Sequence, residues 1–173
     1  MLNNDLSQQI KRNFPYKPTE EQENAVKSFA EFLFSPSADS VFLMKGYAGT
    51  GKTTLISALV RTLDSLQRKV ILLAPTGRAA KVFSGYAGHP AYTIHKKIYR
   101  QKVFSNETDN FVANQNLHRN TLFIVDEASM IANEGLSGGH FGSGRLLDDL
   151  VQYVYNGLGC RLMLIGDTAQ LPP

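Results

Sequence analysis

The sequence has one cysteine, Cys160, among 173 residues, so no disulfide framework can hold it together. It also lacks any long apolar run. The longest, Val41–Met44, Val70–Ala74 and Leu122–Val125, fall far short of the roughly 20 residues that a membrane-spanning helix needs. Residues 1–20 have no apolar signal-peptide centre. These absences argue against a secreted disulfide scaffold and against a spanning helix, and make the reducing cytoplasm the expected compartment. A strong charge of either sign is missing too: 18 basic against 15 acidic side chains leave a net charge of +3. Such a balance admits a nucleic-acid partner without requiring one. What is present is 43% apolar content in a chain long enough to bury about two-thirds of its unfolded surface, which is one domain's worth.

Four short runs rich in Val, Ile, Leu and Phe, at 41–44, 70–74, 122–125 and 162–165, show no polar alternation and read as parallel strands buried on both faces. Between the first two, Leu55, Ile56, Leu59, Val60, Leu63 and Leu66 recur at helical spacing and predict a helix over Thr53–Lys69. Further helices are expected from Gly77 to about Ser84 and over Arg145–Asn156, with Gly157 as a C-cap. Thr19-Glu20-Glu21-Gln22 has the form of a capping box and opens a helix whose Val26, Phe29, Ala30, Leu33 and Phe34 face inward. This alternation implies an α/β fold, a doubly wound parallel sheet with flanking helices. Ile98–Phe104 and Phe111–Asn116 flank a turn-rich stretch and predict a small β-hairpin insertion at about 98–116. Asn133–Gly144, with five glycines, reads as a loop. No repeat or linker divides the chain, so residues 1–173 are expected to form a single domain.

Gly46-Tyr47-Ala48-Gly49-Thr50-Gly51-Lys52-Thr53 fits the phosphate-cradling pattern G-x-x-x-x-G-K-[ST], between a predicted strand and a predicted helix. There the glycines let backbone N–H groups converge on phosphate oxygens, and the helix N-terminus favours an anion. Gly46, Ala48, Gly49, Thr50, Gly51, Lys52 and Thr53 are thus the expected ATP contacts. Lys52 supplies charge to the β- and γ-phosphates, and the Thr53 hydroxyl is placed on Mg²⁺. Thr54 reads equally as a first-turn helix residue or as an α-phosphate contact. Leu122–Val125 followed by Asp126-Glu127 is an apolar strand ending in two acids, in which Asp126 holds the metal through water and Glu127 orients the attacking water. No second acidic cluster outside this pocket supports a two-metal nuclease site.

The order of motifs resembles the first motor domain of superfamily one DNA helicases, in the RecD-like and Dda-like branch, a P-loop (RecA-like) fold. Thr19–Gln22 resembles the Q motif, in which Gln22 would read adenine; its plainer role is to close the capping box. Ala74-Pro75-Thr76-Gly77-Arg78-Ala79-Ala80 and Thr93-Ile94-His95 look like motifs Ia and Ib. By that resemblance Pro75, Thr76, Gly77, Arg78, Thr93 and His95 are expected to meet single-stranded DNA. Asp126-Glu127-Ala128-Ser129-Met130 resembles motif II, and Gly166-Asp167-Thr168-Ala169-Gln170-Leu171-Pro172-Pro173 resembles motif III, where Gln170 would sense the γ-phosphate. The hairpin occupies the position of the family's strand-separating pin. Tyr99, Phe104 and Phe111 read as its packing rather than as stacking platforms. Leu136–His140 superficially resembles the signature of ABC transporter ATPases, but it follows the acidic pair instead of preceding it.

The resemblance implies a DNA-dependent ATPase that moves along single strands, with a role in repair or recombination. It also implies a second RecA-like domain downstream of Pro173 that supplies transition-state arginines, so residues 1–173 alone are expected to bind nucleotide and hydrolyse it weakly. A monomer is favoured. Two other readings stay open: a nucleotide-binding regulatory module, and another P-loop enzyme such as a metabolite kinase.

Overall fold

The computed structural model describes residues 2–46, 51–101, 111–131 and 145–167. Two helices, α1 (Leu2–Arg12) and α2 (Glu20–Leu33), come first, followed by β1 (Val41–Gly46), α3 (Lys52–Ser65), β2 (Lys69–Ala74), α4 (Gly77–Ala87), β3 (Ala91–Thr93) and α5 (Ile94–Ile98). Strands β4 (Tyr99–Gln101) and β5 (Phe111–Ala113) precede β6 (Thr121–Val125), a single 3₁₀ turn (Ala128–Met130), α6 (Leu146–Tyr155) and β7 (Arg161–Asp167). The main sheet has the order β1-β7-β6-β2-β3, and every pairing in it is parallel. Strands β4 and β5 form a separate antiparallel pair with Tyr99 opposite Ala113. This is the expected hairpin, although Ile98 ends α5 instead of opening the strand. The residues between these two strands, and the glycine-rich stretch with Leu136–His140, lie outside the described residues.

The strands separate two layers of core by simple alternation. Val70, Leu72, Leu122, Ile124, Met163 and Ile165 pack with residues of α1 to α4, whereas Leu73, Phe123, Val125 and Leu162 pack with α5 and α6. Helices therefore cover both faces, as a parallel sheet requires. Strand β1 departs from the expected burial on both faces. Phe42 and Met44 meet the first layer, but Val41 and Leu43 are 40% and 53% exposed, because β1 is the outer strand and the α5–α6 layer lies over the middle of the sheet.

The helix expected to run to Lys69 stops at Ser65. Gln67 takes a left-handed conformation (φ 57°), and the Arg68 N–H closes back on the Leu63 carbonyl at 2.9 Å, which frees Lys69 to begin β2. Helix α4 runs one turn beyond Ser84 and ends at a left-handed Gly88. On α2, Phe32 is buried in place of Phe34; Phe34 instead carries the Arg68 guanidinium over its ring at 5.6 Å. Leu66, expected on the buried face of α3, is exposed. Gly157 is needed for closeness rather than as a left-handed cap: a Cβ there would lie 2.4 Å from Asn116 Nδ2 and 2.7 Å from Cys160 Sγ. Helix α1 has no counterpart in the expected elements. It is anchored by buried Leu6 and Ile10 and by Asn13, whose amide donates to Thr62 Oγ1 on α3 at 2.7 Å.

Candidate nucleotide site and its strand-facing edge

Parallel strands deliver their following segments to one edge, and the register shows which segments become neighbours. Gly46 at the end of β1 pairs with Asp167 on β7, Val125 of β6 lies between Leu164 of β7 and Leu73 of β2, and Ala74 pairs with Thr93. The candidate phosphate, metal and DNA segments therefore stand in a row. At about 4.8 Å between strands, β1 and β3 are about 19 Å apart across this edge, and β6 and β3 about 10 Å.

At one end of the row, Gly51 takes a left-handed conformation (φ 81°) and opens α3 with no side-chain cap, so the helix's first N–H groups are left for an anion. Lys52 Nζ lies 3.5 Å from the carbonyls of both Gly46 and Gly166, which sets its ammonium between the ends of two adjacent strands. Thr53 is exposed and Thr54 half-buried. Ala48, Gly49 and Thr50 lie outside the described residues, as does Gln170.

Gln22 does more than close its capping box. Its Oε1 accepts the Thr19 N–H at 2.9 Å, and its Nε2 donates to the Gly51 carbonyl at 3.1 Å and to the Tyr16 hydroxyl at 3.4 Å. The buried amide thus joins the start of α2 to the turn that precedes Lys52. Tyr16, a residue that sequence reasoning missed, also hydrogen-bonds the Thr54 side chain, and these two partners, Gln22 foremost, draw its phenol below the ordinary range. A 410 Å³ cavity beside this junction is lined by Gln22, Ala25, Met44, Lys45, Gly51 and Leu55, among others.

The acids stand on the next strand but one. Asp126 Oδ2 accepts the Tyr86 hydroxyl at 2.5 Å, and Oδ1 accepts the backbone N–H of Glu127 at 2.8 Å. Glu127 itself is left-handed (φ 54°, ψ 39°), a conformation that costs a side chain with a Cβ about 1–2 kcal/mol. Burial foremost, then the charge of Asp126, pushes the Tyr86 phenol far above its ordinary range, so it stays neutral and donates.

A 270 Å³ cleft joins Asp126 and Glu127 to Thr76, Arg78, Ala79, Val82 and Met130. Thr76 and Thr93 have matching local roles: their hydroxyls accept from Ala79 N at 3.1 Å and Lys96 N at 3.2 Å, capping α4 and α5. Thr76, Gly77 and Arg78 are exposed and Pro75 partly so. His95 is half-buried, its ring 5.7 Å from that of Tyr99, and burial lowers its pKa. Tyr99 is buried, with its hydroxyl donating to Asp149 Oδ2 at 2.6 Å, in keeping with a packing role.

The donor set fits magnesium better than a caged metal. Among the described residues no three His, Cys, Asp or Glu side chains gather as a metal group. Mg²⁺ typically takes one or two hard protein oxygens and completes its shell with water and phosphate, and the Asp126 carboxylate and Thr53 hydroxyl are oxygens of that kind. A third cavity, of 310 Å³, opens at the other end of the sheet. Its Arg161 is committed to structure, donating to the carbonyls of Phe32 at 2.8 Å and Ser37 at 3.3 Å, and to that of Ser35, where α2 ends. Among the described residues no helix is long and apolar enough to cross a membrane.

Comparison with known proteins agrees with this geometry. Residues 17–173 match the family model described as AAA domain. The ATP-dependent RecD2 DNA helicase of Deinococcus radiodurans is 31% identical over 145 residues, covering 83% of this chain and 18% of that protein. The ATP-dependent DNA helicase Pif1 of Bdellovibrio bacteriovorus is 30% identical over 138 residues, covering 79% of this chain and 30% of its own length. In fold, the chain is similar to the crystal structure of Pif1 helicase from Candida albicans, with a TM-score of 0.52 and 21% identity over 91% of this chain and 34% of that one. The chain thus spans less than a third of either helicase to which its sequence was compared. It belongs to this AAA domain family and is a RecA-like domain of the superfamily one helicase type.

Proposed function

We propose that the chain is the ATP-binding first motor domain of a DNA-dependent ATPase that moves along single-stranded DNA. The observation that carries this reading is the row along the carboxyl edge: Lys52 between the ends of β1 and β7, the acidic pair on β6, and the exposed Thr76 and Arg78 sharing a cleft with that pair. Lys52 and the N-terminus of α3 hold the phosphates, and the cavity beside Gln22 takes the base. For Gln22 to read adenine, its amide must exchange the bonds to Gly51 and Tyr16 for bonds to the base. Thr53 and Asp126 are the residues that would hold Mg²⁺. When bound, the ion would neutralise charge developing on the phosphates. Glu127 orients the attacking water, and Gln170 is assigned to sensing the γ-phosphate.

On the DNA side, Thr76, Gly77 and Arg78 at the start of α4 and Thr93 and His95 at the start of α5 position a phosphate backbone without reading its sequence. A second RecA-like domain, following in the longer protein, supplies arginines to the transition state, an effect worth about a thousandfold or more in rate. The proposed setting is the cytoplasm, in repair or recombination.

A fluorescent ADP analogue titrated into residues 1–173 tests the first half of this reading. Binding that collapses in Lys52→Ala supports it, and binding indifferent to that change overturns it. In a chain extended through the second domain, Glu127→Gln is expected to abolish DNA-stimulated hydrolysis while leaving ATP affinity nearly intact. Equal loss of both would point to a binding module instead. Brisk DNA-stimulated hydrolysis by residues 1–173 alone would show that no second domain is needed.

A further inference from the structure

Asp126 is held by a residue that none of the motifs contains. The Tyr86 hydroxyl reaches Asp126 Oδ2 at 2.5 Å across 40 positions of sequence. Its ring packs on the fully buried Phe83 at 5.3 Å between centroids, so the phenol has little freedom to turn away. The bond is of the short, charge-assisted kind, roughly twice as strong as one between neutral partners. Because the other carboxylate oxygen accepts the Glu127 N–H, one carboxylate ties three things together: α4, the end of β6, and the left-handed residue that carries the second acid. Each oxygen keeps a lone pair, so water can still bridge from Asp126 to a metal.

We propose, resting on the nucleotide reading above, that Tyr86 is a positioning residue for Asp126: its hydroxyl holds the carboxylate in the orientation that meets a magnesium–nucleotide complex. A half-buried phenol could be satisfied by water or by a backbone carbonyl. Here the acceptor is the proposed metal carboxylate, and the donor comes from the helix that Thr76 caps and whose first turn carries Gly77 and Arg78. Removing an outer partner of a metal ligand costs about 10–100-fold in metal affinity while leaving the ligands in place.

The test uses Tyr86→Phe in residues 1–173, which deletes only the hydroxyl. Mg²⁺ is titrated at saturating fluorescent ADP, and ADP affinity is measured separately in EDTA. The expected result is an Mg²⁺ affinity about tenfold or more weaker, with metal-free ADP affinity within about twofold of wild type. In an Asp126→Asn background the same change is expected to add nothing further, since its effect runs through the carboxylate. Unchanged Mg²⁺ affinity overturns the proposal, as does equal weakening with and without metal, or a full additional loss on Asp126→Asn. These outcomes differ from failure of the nucleotide reading, in which wild type shows no ADP binding that depends on Lys52 and both proposals fall.

Discussion

Strands β1 and β6 are written in nearly the same letters and live in different surroundings. Val41-Phe42-Leu43-Met44 and Leu122-Phe123-Ile124-Val125 are both unbroken apolar runs. Every residue of β6 is buried, whereas β1 buries one face and leaves Val41 and Leu43 in the open. The outer strand precedes Lys52, the proposed phosphate ligand, and the central strand is followed by Asp126 and Glu127. Place in the sheet, rather than composition, decides which run carries the core, and the acids stand on the better-buried of the two.

Four changes would break or sharpen this contrast. The largest effect belongs to the centre: Phe123, fully buried between His118 and Tyr153, should cost about 3–5 kcal/mol when changed to Ala, read as a shift in urea midpoint. Next comes the outer strand's chemistry rather than its packing. Lys52→Ala should weaken nucleotide binding about 100-fold, or about 2.7 kcal/mol, by fluorescence titration, with little change in the urea midpoint. Gly51→Ala should cost about 1–3 kcal/mol, because φ is 81° and the new Cβ would sit 2.4 Å from Gln22 Nε2; displacing that amide should weaken nucleotide binding as well. The smallest effect is Leu43→Ala, on the exposed face of β1, within about 0.5 kcal/mol of wild type. If Leu43→Ala cost as much as Phe123→Ala, the two strands would be equally central and the contrast would fail.

Much of this was legible in the sequence, for identifiable reasons. The step from β1 to α3, the acidic pair that follows β6 and the helices α2, α3, α4 and α6 announce themselves through local patterns, because ending a strand or capping a helix is work done by neighbours in the chain. Helix α1 was missed because Leu2–Arg12 is mostly polar and becomes a helix on the strength of Leu6 and Ile10 meeting the core. Strand β3 has three residues, too few to show a period of two. The exposure of β1 depends on which strand lies at the edge, which a hydrophobic run does not encode. The bonds from Tyr86 to Asp126 and from Gln22 to Gly51 span 40 and 29 positions, and each polar partner reads locally as something simpler.

Any redesign of this chain for thermal endurance meets a conflict at Glu127. Its left-handed backbone is the kind that stability-seeking substitution fills with glycine. A chain so improved would melt later and lose the carboxylate proposed to orient water. A durable variant has to recover its margin elsewhere, as at Gln67, whose backbone is left-handed too (φ 57°) and which carries no part of the proposed chemistry.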